Sequence, residues 1–444
     1  MREKQDLLLK DRRPYFNHEW EAISLLSDVT DKVFLDYCCY DTIHPLRIED
    51  GECLISAVDL YRLYAPDLEI VEQGDRIVIG FTRYDASKRE LISGVPYMPP
   101  ADQWEAELTI GSRHIITDFG ERELKAAPER RNGICYLPIL SLMSEAFGAD
   151  ILHFHEGGAI TYWAKPTSIR DIYSISFQKT FQLNAEFAGM LTRSLDKVYG
   201  DIYRTVWFED GKRLMPYRVY IPFGYVPDQP MPAVVGFPGG IANENSYYQR
   251  SDNKLQFYAQ KHGYITIVLS GYGVSTFFGS WLPILQTLDG IDYEHMDPRN
   301  PEGWAPETMA LRELAEKGMW VALEDICKRW NIDRKNLFAF GNSAGSNTAT
   351  YLYLKYPGLF RAFCAMGGFV NYRFINLRDI ADDAMLHIMG TEDQHGFNDM
   401  VRAYQALETA GVKYRRIVTG GGEHVYSWVP YLDDMFAFFD EKRV

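Results

Sequence analysis

The chain has 444 residues, 46 Lys and Arg against 61 Asp and Glu, and a formal net charge of −15. That excess of negative charge argues against a nucleic-acid backbone or an anionic membrane as partner, and it leaves a neutral small molecule open. With 46% hydrophobic and 24% charged residues, intrinsic disorder is excluded, a sizeable core is expected, and the length suits two or three domains.

The opening stretch, "MREKQDLLLKDRRPYFNHEWE", has no apolar h-region and no small-residue cleavage site. No apolar run approaches the ~18 residues that a membrane helix requires. A cytoplasmic location is therefore the expectation. Cys38, Cys39, Cys53, Cys135, Cys327 and Cys364 form no CxxC pattern, and several lie in apolar runs. Free buried thiols are the simplest reading.

Residues 1–165 carry short strand and helix signals, as in a small α+β domain. Two stretches repeat weakly: "GECLISAVDLYRLYAPDLEI" from Gly51 and "GICYLPILSLMSEAFGADIL" from Gly133. Each runs Gly-x-Cys, a short apolar stretch, a helical period and a turn, and each leads into a strand-like run. These apolar faces need cover from each other, from the segment that follows, or from a second chain in a homo-oligomer. His153 and His155 share one face of a strand, but a metal site needs a third ligand and none is evident. Leu108-Thr109-Ile110-Gly111, Pro128, Gly133, Tyr136-Leu137-Pro138 and Ala146-Phe147-Gly148-Ala149 together resemble the copper amine oxidase N-terminal-like domain. Despite its name, that module is not a copper site, and the resemblance implies a non-catalytic attachment domain.

Residues 166–196 read as a helical connector. From 197 to 444, short apolar runs alternate with helical periods. "DIYRTVWFEDGKRLMPYRVYIP" gives two strands around the Asp210-Gly211 turn. "PAVVGFPGG", "YITIVLSGYG", "NLFAFGNSAG", "FRAFCAMGGF", "AMLHIMGTED" and "YRRIVTGGGEH" supply further strands, with a helix expected near 308–330 and another near 397–410. That alternation predicts an α/β fold: a doubly wound, mostly parallel sheet with ligands beyond the carboxyl ends of its strands.

Gly341-Asn342-Ser343-Ala344-Gly345 stands where a strand hands over to a helix. G-x-S-x-G at such a turn strains the serine backbone and exposes its hydroxyl at the sheet edge, and glycines on either side remove clashing side chains. A serine hydroxyl needs a base, and the base an orienting carboxylate. Asp393 follows the apolar strand "MLHIMG", with Glu392, Asp399 and Asp383 as rivals. His424 follows "YRRIVTG", and glycines 420–422 let the chain turn its imidazole towards the serine. His387 lies within a strand and His395 beside the acid. Oxyanion donors are expected at the Ala344 N–H and in the loop after "AVVGFPGG", at Gly239 or else Gly240.

These residues resemble the α/β-hydrolase superfamily, in particular its polyhydroxybutyrate depolymerase-like and feruloyl-esterase-like branch and the prolyl-oligopeptidase-like serine hydrolases nearby. "IDRKNLFAFGNSAGSNTATYLYLKYPGLFRAFCAMGG" is similar to that branch almost throughout. Two departures stand out: the usual His-Gly of the oxyanion loop is Phe237-Pro238, and Ser346 replaces a frequent glycine. An insertion at about 272–307 is rich in aromatics: Tyr272, Phe277, Phe278, Trp281, Tyr293 and Trp304. It either walls the substrate pocket or packs as an ordinary loop. The resulting expectation is a cofactor-free, metal-free serine esterase acting on a small-molecule ester. A prolyl-oligopeptidase-like peptidase is the first alternative, although residues 1–165 read as too short and too helical for a β-propeller. A non-catalytic scaffold with a hydrolase fold is the second.

Overall fold

The computed structural model describes residues 32–35, 38–49, 52–84, 90–92, 95–97, 100–147, 150–155, 158–162, 200–240, 242–272, 277–285, 297, 300, 303–394 and 396–444. They form two compact units. One takes in Met215–Val444 and the start of the preceding strand to Ile202. The other takes in the described residues up to Tyr162 together with Tyr203–Leu214. The tip of the hairpin around Asp210-Gly211 thus groups with the amino-terminal residues, rather than with the 197–444 domain expected from sequence. The expected connector at 166–196 lies outside the described residues.

The described part of the amino-terminal unit is mainly strand, with helices Ala57–Tyr64 and Ile139–Phe147, which is compatible with a small α+β domain. The reason is visible in the alternation of its strands: in His114–Thr117, for example, the outward and inward positions alternate strictly. An antiparallel five-stranded sheet runs in the order Gly120–Glu123, His114–Thr117, Pro100–Thr109, Arg76–Tyr84, Leu68–Gln73. The two weak repeats each fold as a strand followed by a helix: Glu52–Ser56 with Ala57–Tyr64, and Ile134–Pro138 with Ile139–Phe147. Their strands pair antiparallel, with Leu137 opposite Ile55. The repeats therefore cover each other, and Leu60, Leu63, Leu137, Leu142 and Phe147 join one core. Cys53 and Cys135 are free and buried.

The strands that follow are β1 (Gly200–Phe208), which belongs to the carboxyl-terminal unit only as far as Ile202, and β2 (Arg213–Ile221), which belongs to it from Met215, then β3 (Met231–Phe237), β4 (Ile265–Leu269), β5 (Ile332–Asn342), β6 (Phe363–Met366), β7 (Met385–Gly390) and β8 (Arg415–Thr419). The strand order is β1-β2-β4-β3-β5-β6-β7-β8. β2 runs antiparallel to β4, and the strands from β4 to β8 are parallel to their neighbours. This is the mostly parallel sheet of an α/β fold that the alternation of strands and helices predicts. β4, β6 and β7 are buried end to end, as a sheet covered on both faces requires.

Helices α1 (Ser246–Arg250), α2 (Lys254–His262), α3 (Pro306–Arg329), α4 (Ala344–Lys355), α5 (Phe397–Thr409) and α6 (Leu432–Asp440) connect and cover these strands. Pro306 opens α3, where its missing N–H removes no helical bond. One aromatic-rich core joins Phe338, Phe340, Trp428, Phe436 and Phe439 with Val234, Val268 and Ile388. Each such large side chain contributes about 1.5–3 kcal/mol by leaving water. The register aligns Phe237 with Gly341, Asn342 with Met366, and Gly390 with Thr419. The carboxyl ends of β3, β5, β6, β7 and β8 therefore form one row, and the loops leaving that row carry every predicted catalytic and oxyanion residue.

Candidate active site

β5 ends at Asn342 and α4 begins at Ala344, which leaves Ser343 alone in the turn at φ 58° and ψ −122°. A non-glycine residue at that φ is strained by about 1–3 kcal/mol. The surroundings hold it there: the Ser343 N–H donates to Met366 O at 2.9 Å. The reason for the two glycines can be measured. A Cβ on Gly341 would stand 2.0 Å from Gly345 O, and one on Gly345 would stand 1.7 Å from Phe237 O. Only glycine lets β3, β5 and α4 approach this closely.

Asp393 sits in the tight turn after β7, its N–H bonded to Gly390 O at 3.2 Å. Its carboxylate is fully buried and accepts from Nδ1 of His424 at 2.8 Å, while the imidazole is 20% exposed. That bond engages Nδ1, and Nε2 is the ring's other nitrogen. The loop carrying His424 crosses β7 closely: a Cβ on Gly390 would lie 1.9 Å from Gly422 O. Gly421, at φ 74°, makes the turn and donates to Thr391 Oγ1.

Ser343 and His424 border the same cavity of about 200 Å³, whose other side chains include Ile284, Leu285, Phe369 and Met400. Gly239 lies against the serine, since a Cβ there would be 3.6 Å from Ser343 Cβ and 3.4 Å from Asn342 O. Gly240 follows it, half-exposed. Ala344 is the first residue of α4, where N–H groups lack helical acceptors and the helix dipole favours negative charge.

The rival residues are placed elsewhere. His387 is buried in β7, with Nε2 donating to Gly368 O at 3.0 Å and Nδ1 accepting from Tyr404 OH at 2.7 Å. Burial pulls its pKa down to about 4, so it is neutral and both nitrogens are engaged. Asp399 faces Arg402 at 3.9 Å. His395 lies outside the described residues.

None of Tyr272, Phe277, Phe278, Trp281 and Trp304 is among the residues bordering the cavity. Tyr293 lies outside the described residues. Phe278 packs edge-on against Phe237, and Trp281 against Tyr351. The Arg312 guanidinium lies 3.3 Å from the Trp304 ring centre and 4.7 Å from that of Phe277. The insertion reaches the cavity through Ile284 and Leu285 instead. Leu285 N–H donates to Phe369 O at 2.8 Å, and Asn371 N–H to Pro283 O at 2.8 Å. Asn347 in α4 gives its amide protons to Leu282 O and Pro283 O. These bonds hold Ile284 and Leu285 beside the serine. The sequence reading passed over Phe369, Met400 and these two aliphatics. The available signal for Phe369 was Gly367-Gly368 at the carboxyl end of β6, next to the serine strand.

Among the described residues, no group of three His, Cys, Asp or Glu is placed to hold a metal ion. No described helix is long and apolar enough to cross a membrane.

Among solved structures, the chain is similar to an S-formylglutathione hydrolase from Agrobacterium tumefaciens at 14% identity and a TM-score of 0.43, covering 56% of this chain and 98% of that one. It is also similar to the ferulic acid esterase AmCE1/Fae1A from Anaeromyces mucronatus, with 14% identity, a TM-score of 0.41 and coverage of 56% and 92%. A third is FphF, a fluorophosphonate-binding serine hydrolase of Staphylococcus aureus, with 12% identity, a TM-score of 0.41 and coverage of 54% and 98%. No family model and no curated protein matches the sequence.

Proposed function

We propose that the carboxyl-terminal unit is a serine hydrolase that cleaves carboxylic esters. The observation that carries this reading is the pairing of His424 Nδ1 with buried Asp393 at 2.8 Å, in an imidazole that shares a cavity with the strained Ser343. In the mechanism, Ser343 Oγ attacks the acyl carbon while His424 Nε2 takes its proton. The carbonyl oxygen becomes an oxyanion held by the N–H groups of Ala344 and Gly239, with Gly240 adjacent. The tetrahedral intermediate collapses, the C–O bond to the alcohol breaks, and the imidazolium returns the proton to the leaving oxygen. Water then repeats the sequence on the acyl-enzyme, releasing the acid and restoring Ser343. Asp393 holds the ring in the tautomer that both steps need and stabilises the imidazolium. The scheme calls on no metal or organic cofactor.

The cavity bears on the substrate. An apolar cavity of about 150 Å³ is enough to take up benzene. A space of about 200 Å³ bordered by Ile284, Leu285, Phe369 and Met400 suits an ester with one small apolar arm. The residues 1–165 are proposed to be a copper amine oxidase N-terminal-like module that supplies no reacting group. The order of strand, turn, strand Ile134–Pro138 and helix Ile139–Phe147 supports that reading.

The test is a fluorophosphonate probe with a panel of aryl and alkyl esters. The expected result is covalent labelling at Ser343 and ester turnover, both absent in Ser343→Ala. A folded wild-type protein that takes no label and turns over no ester would contradict the proposal.

A further inference from the structure

The oxyanion loop, the serine turn and the histidine loop leave three different strands, so something must keep them in register. Two buried side chains connect them. Tyr247, on α1, is 1% exposed. Its hydroxyl donates its one proton to Phe237 O at 2.6 Å and accepts the N–H of Asn342 at 2.6 Å. Phe237 leads directly into Pro238-Gly239, and Asn342 directly precedes Ser343. The Tyr247 ring is wedged against Phe340 and Trp428, with centres 4.8 Å and 5.3 Å away.

Asn342 extends the connection. Its side-chain amide is 1% exposed as a residue and has two protons. One goes to Met366 O at 3.1 Å and the other to His424 O at 3.0 Å. A continuous chain of hydrogen bonds therefore runs from Phe237 O through Tyr247 and Asn342 to the backbone of the catalytic histidine. Gly367 leaves room for it. At φ 55°, a Cβ on Gly367 would stand 2.8 Å from Asn342 Nδ2, 2.9 Å from His424 O and 3.3 Å from Asp393 Oδ2.

We propose that Tyr247 and Asn342 are positioning residues that clamp the oxyanion loop, the nucleophile and the histidine loop into one catalytic register. The proposal rests on the serine-hydrolase reading above. Neither side chain acts on the reacting atoms. The Tyr247 arm sets where the Gly239 N–H stands relative to Ser343. The Asn342 arm sets where the imidazole stands relative to both Ser343 and Asp393. Acyl transfer is sensitive to such placement: a shift of ~1 Å costs on the order of 10²-fold in rate. Tyrosine and asparagine suit the task because each has as many protons as the acceptors it faces, so no buried donor is left over.

The two arms predict different kinetic signatures. Tyr247→Phe removes the bridge between Phe237 O and the Asn342 N–H. It should lower kcat ~10- to 100-fold with little change in KM, slow fluorophosphonate labelling of Ser343 by a similar factor, and leave the pH midpoint of kcat/KM in place. Asn342→Asp keeps the shape but turns oxygens on two carbonyls. It should lower kcat by ~100-fold or more and displace that pH midpoint, because the imidazole loses its fixed seat against Asp393. A merely structural role would lower the melting temperature and leave kcat, KM and the midpoint of the folded enzyme as in wild type.

The experiment is steady-state kinetics against pH and probe-labelling rates at 25 °C on the full chain, with folding checked by circular dichroism. Folded variants whose kcat and labelling rate stay within ~3-fold of wild type overturn the clamp. Should Asn342→Asp fail to fold, Asn342→Ser, shorter and still a donor, is measured the same way, and wild-type kcat and pH midpoint there overturn the clamp equally. Wild-type protein that neither labels at Ser343 nor hydrolyses esters overturns the hydrolase reading itself and the clamp with it, a result distinct from active wild type with indifferent variants.

Discussion

Two buried carboxylates, one in each unit, meet different kinds of donor. Asp59 in the amino-terminal unit accepts from Tyr40 OH at 2.9 Å, from the N–H groups of Ile43 and His44 at 2.7 Å and 3.1 Å, and from Ser56 Oγ at 2.5 Å. All of these donors belong to the frame of the fold, and the effect is to tie a loop to the start of a helix. Asp393 directs an oxygen at an imidazole that is itself part-exposed and borders a cavity. Burial of a carboxylate is therefore uninformative alone. The difference lies in the donors: Asp59 meets backbone N–H groups and the hydroxyls of Tyr40 and Ser56, whereas Asp393 meets an imidazole that borders a cavity.

The largest expected effect lies on the Asp393 side of that contrast. Ser343→Ala, His424→Ala and Asp393→Asn should each lower kcat by ~10⁴-fold or more. They should leave the urea midpoint close to wild type, and the double variants should lose little beyond the singles. Near-normal turnover in Ser343→Ala would end the mechanism. Asp59→Asn should do the reverse. It removes a charged acceptor from a set of buried donors and should destabilise the amino-terminal unit by ~3 kcal/mol. Ester turnover per labelled Ser343 should not change. A stable Asp59→Asn variant with lost activity would dissolve the distinction between the two carboxylates.

Much of this was legible in the sequence because the chemistry imposes residue types on positions the fold defines. Gly341 and Gly345 mark the serine turn because no side chain fits there. Asp393 follows a strand whose apolar run is plain, and His424 follows the shorter strand Arg415–Thr419 and a run of three glycines. The histidine alternatives fell to position: His387 sits inside an apolar strand and is buried there. What escaped was set by register across strands. Tyr247 lies on a short helix of polar and aromatic residues, and nothing in "NENSYYQR" says that one hydroxyl will meet Phe237 O and the Asn342 N–H. The cavity wall escaped for a related reason. The insertion advertises itself by its aromatics, yet Phe278, Trp281 and Trp304 pack on Phe237, Tyr351 and Arg312, and the plainer Ile284 and Leu285 reach the cavity. In the amino-terminal unit the two helices were the plainer signal, because brief alternating stretches carry less of it than a helical period does.

A smaller effect comes from His387, which contrasts with His424 as a buried histidine used for structure. Its pKa is lowered to about 4 by burial, against an unfolded value of about 6.5. Between those values the unfolded chain binds a proton that the folded chain refuses, so stability falls as pH drops through about 6.5 to about 4 and flattens below. The loss from this residue is at most ~3 kcal/mol. His387→Gln, whose amide can still donate to Gly368 O, should show a shallower fall in urea midpoint between pH 7 and pH 4.5. Equal slopes in the two proteins would show that His387 is not the acid-sensitive group.

The smallest expected effect tests the cavity, and it separates the side chains that border it from the aromatics that do not. A series of 4-nitrophenyl esters from acetate to dodecanoate should give the highest kcat/KM on short acyl chains, and a matching series of alkyl acetates asks whether the alcohol arm obeys the same limit. Met400→Ala and Leu285→Ala enlarge the apolar space beside Ser343, so each should raise the ratio of octanoate to butyrate turnover by ~10-fold, about what one or two methylene groups are worth in an apolar pocket. Trp281→Phe alters a ring that packs on Tyr351 away from the cavity, and it should leave the ratio alone. The size of the change matters less than its pattern across the three variants. A shifted ratio in Trp281→Phe with unmoved ratios in Met400→Ala and Leu285→Ala would return the specificity wall to the aromatic insertion, and the arm of the ester would then be read from its rings rather than from the aliphatic side chains around the serine.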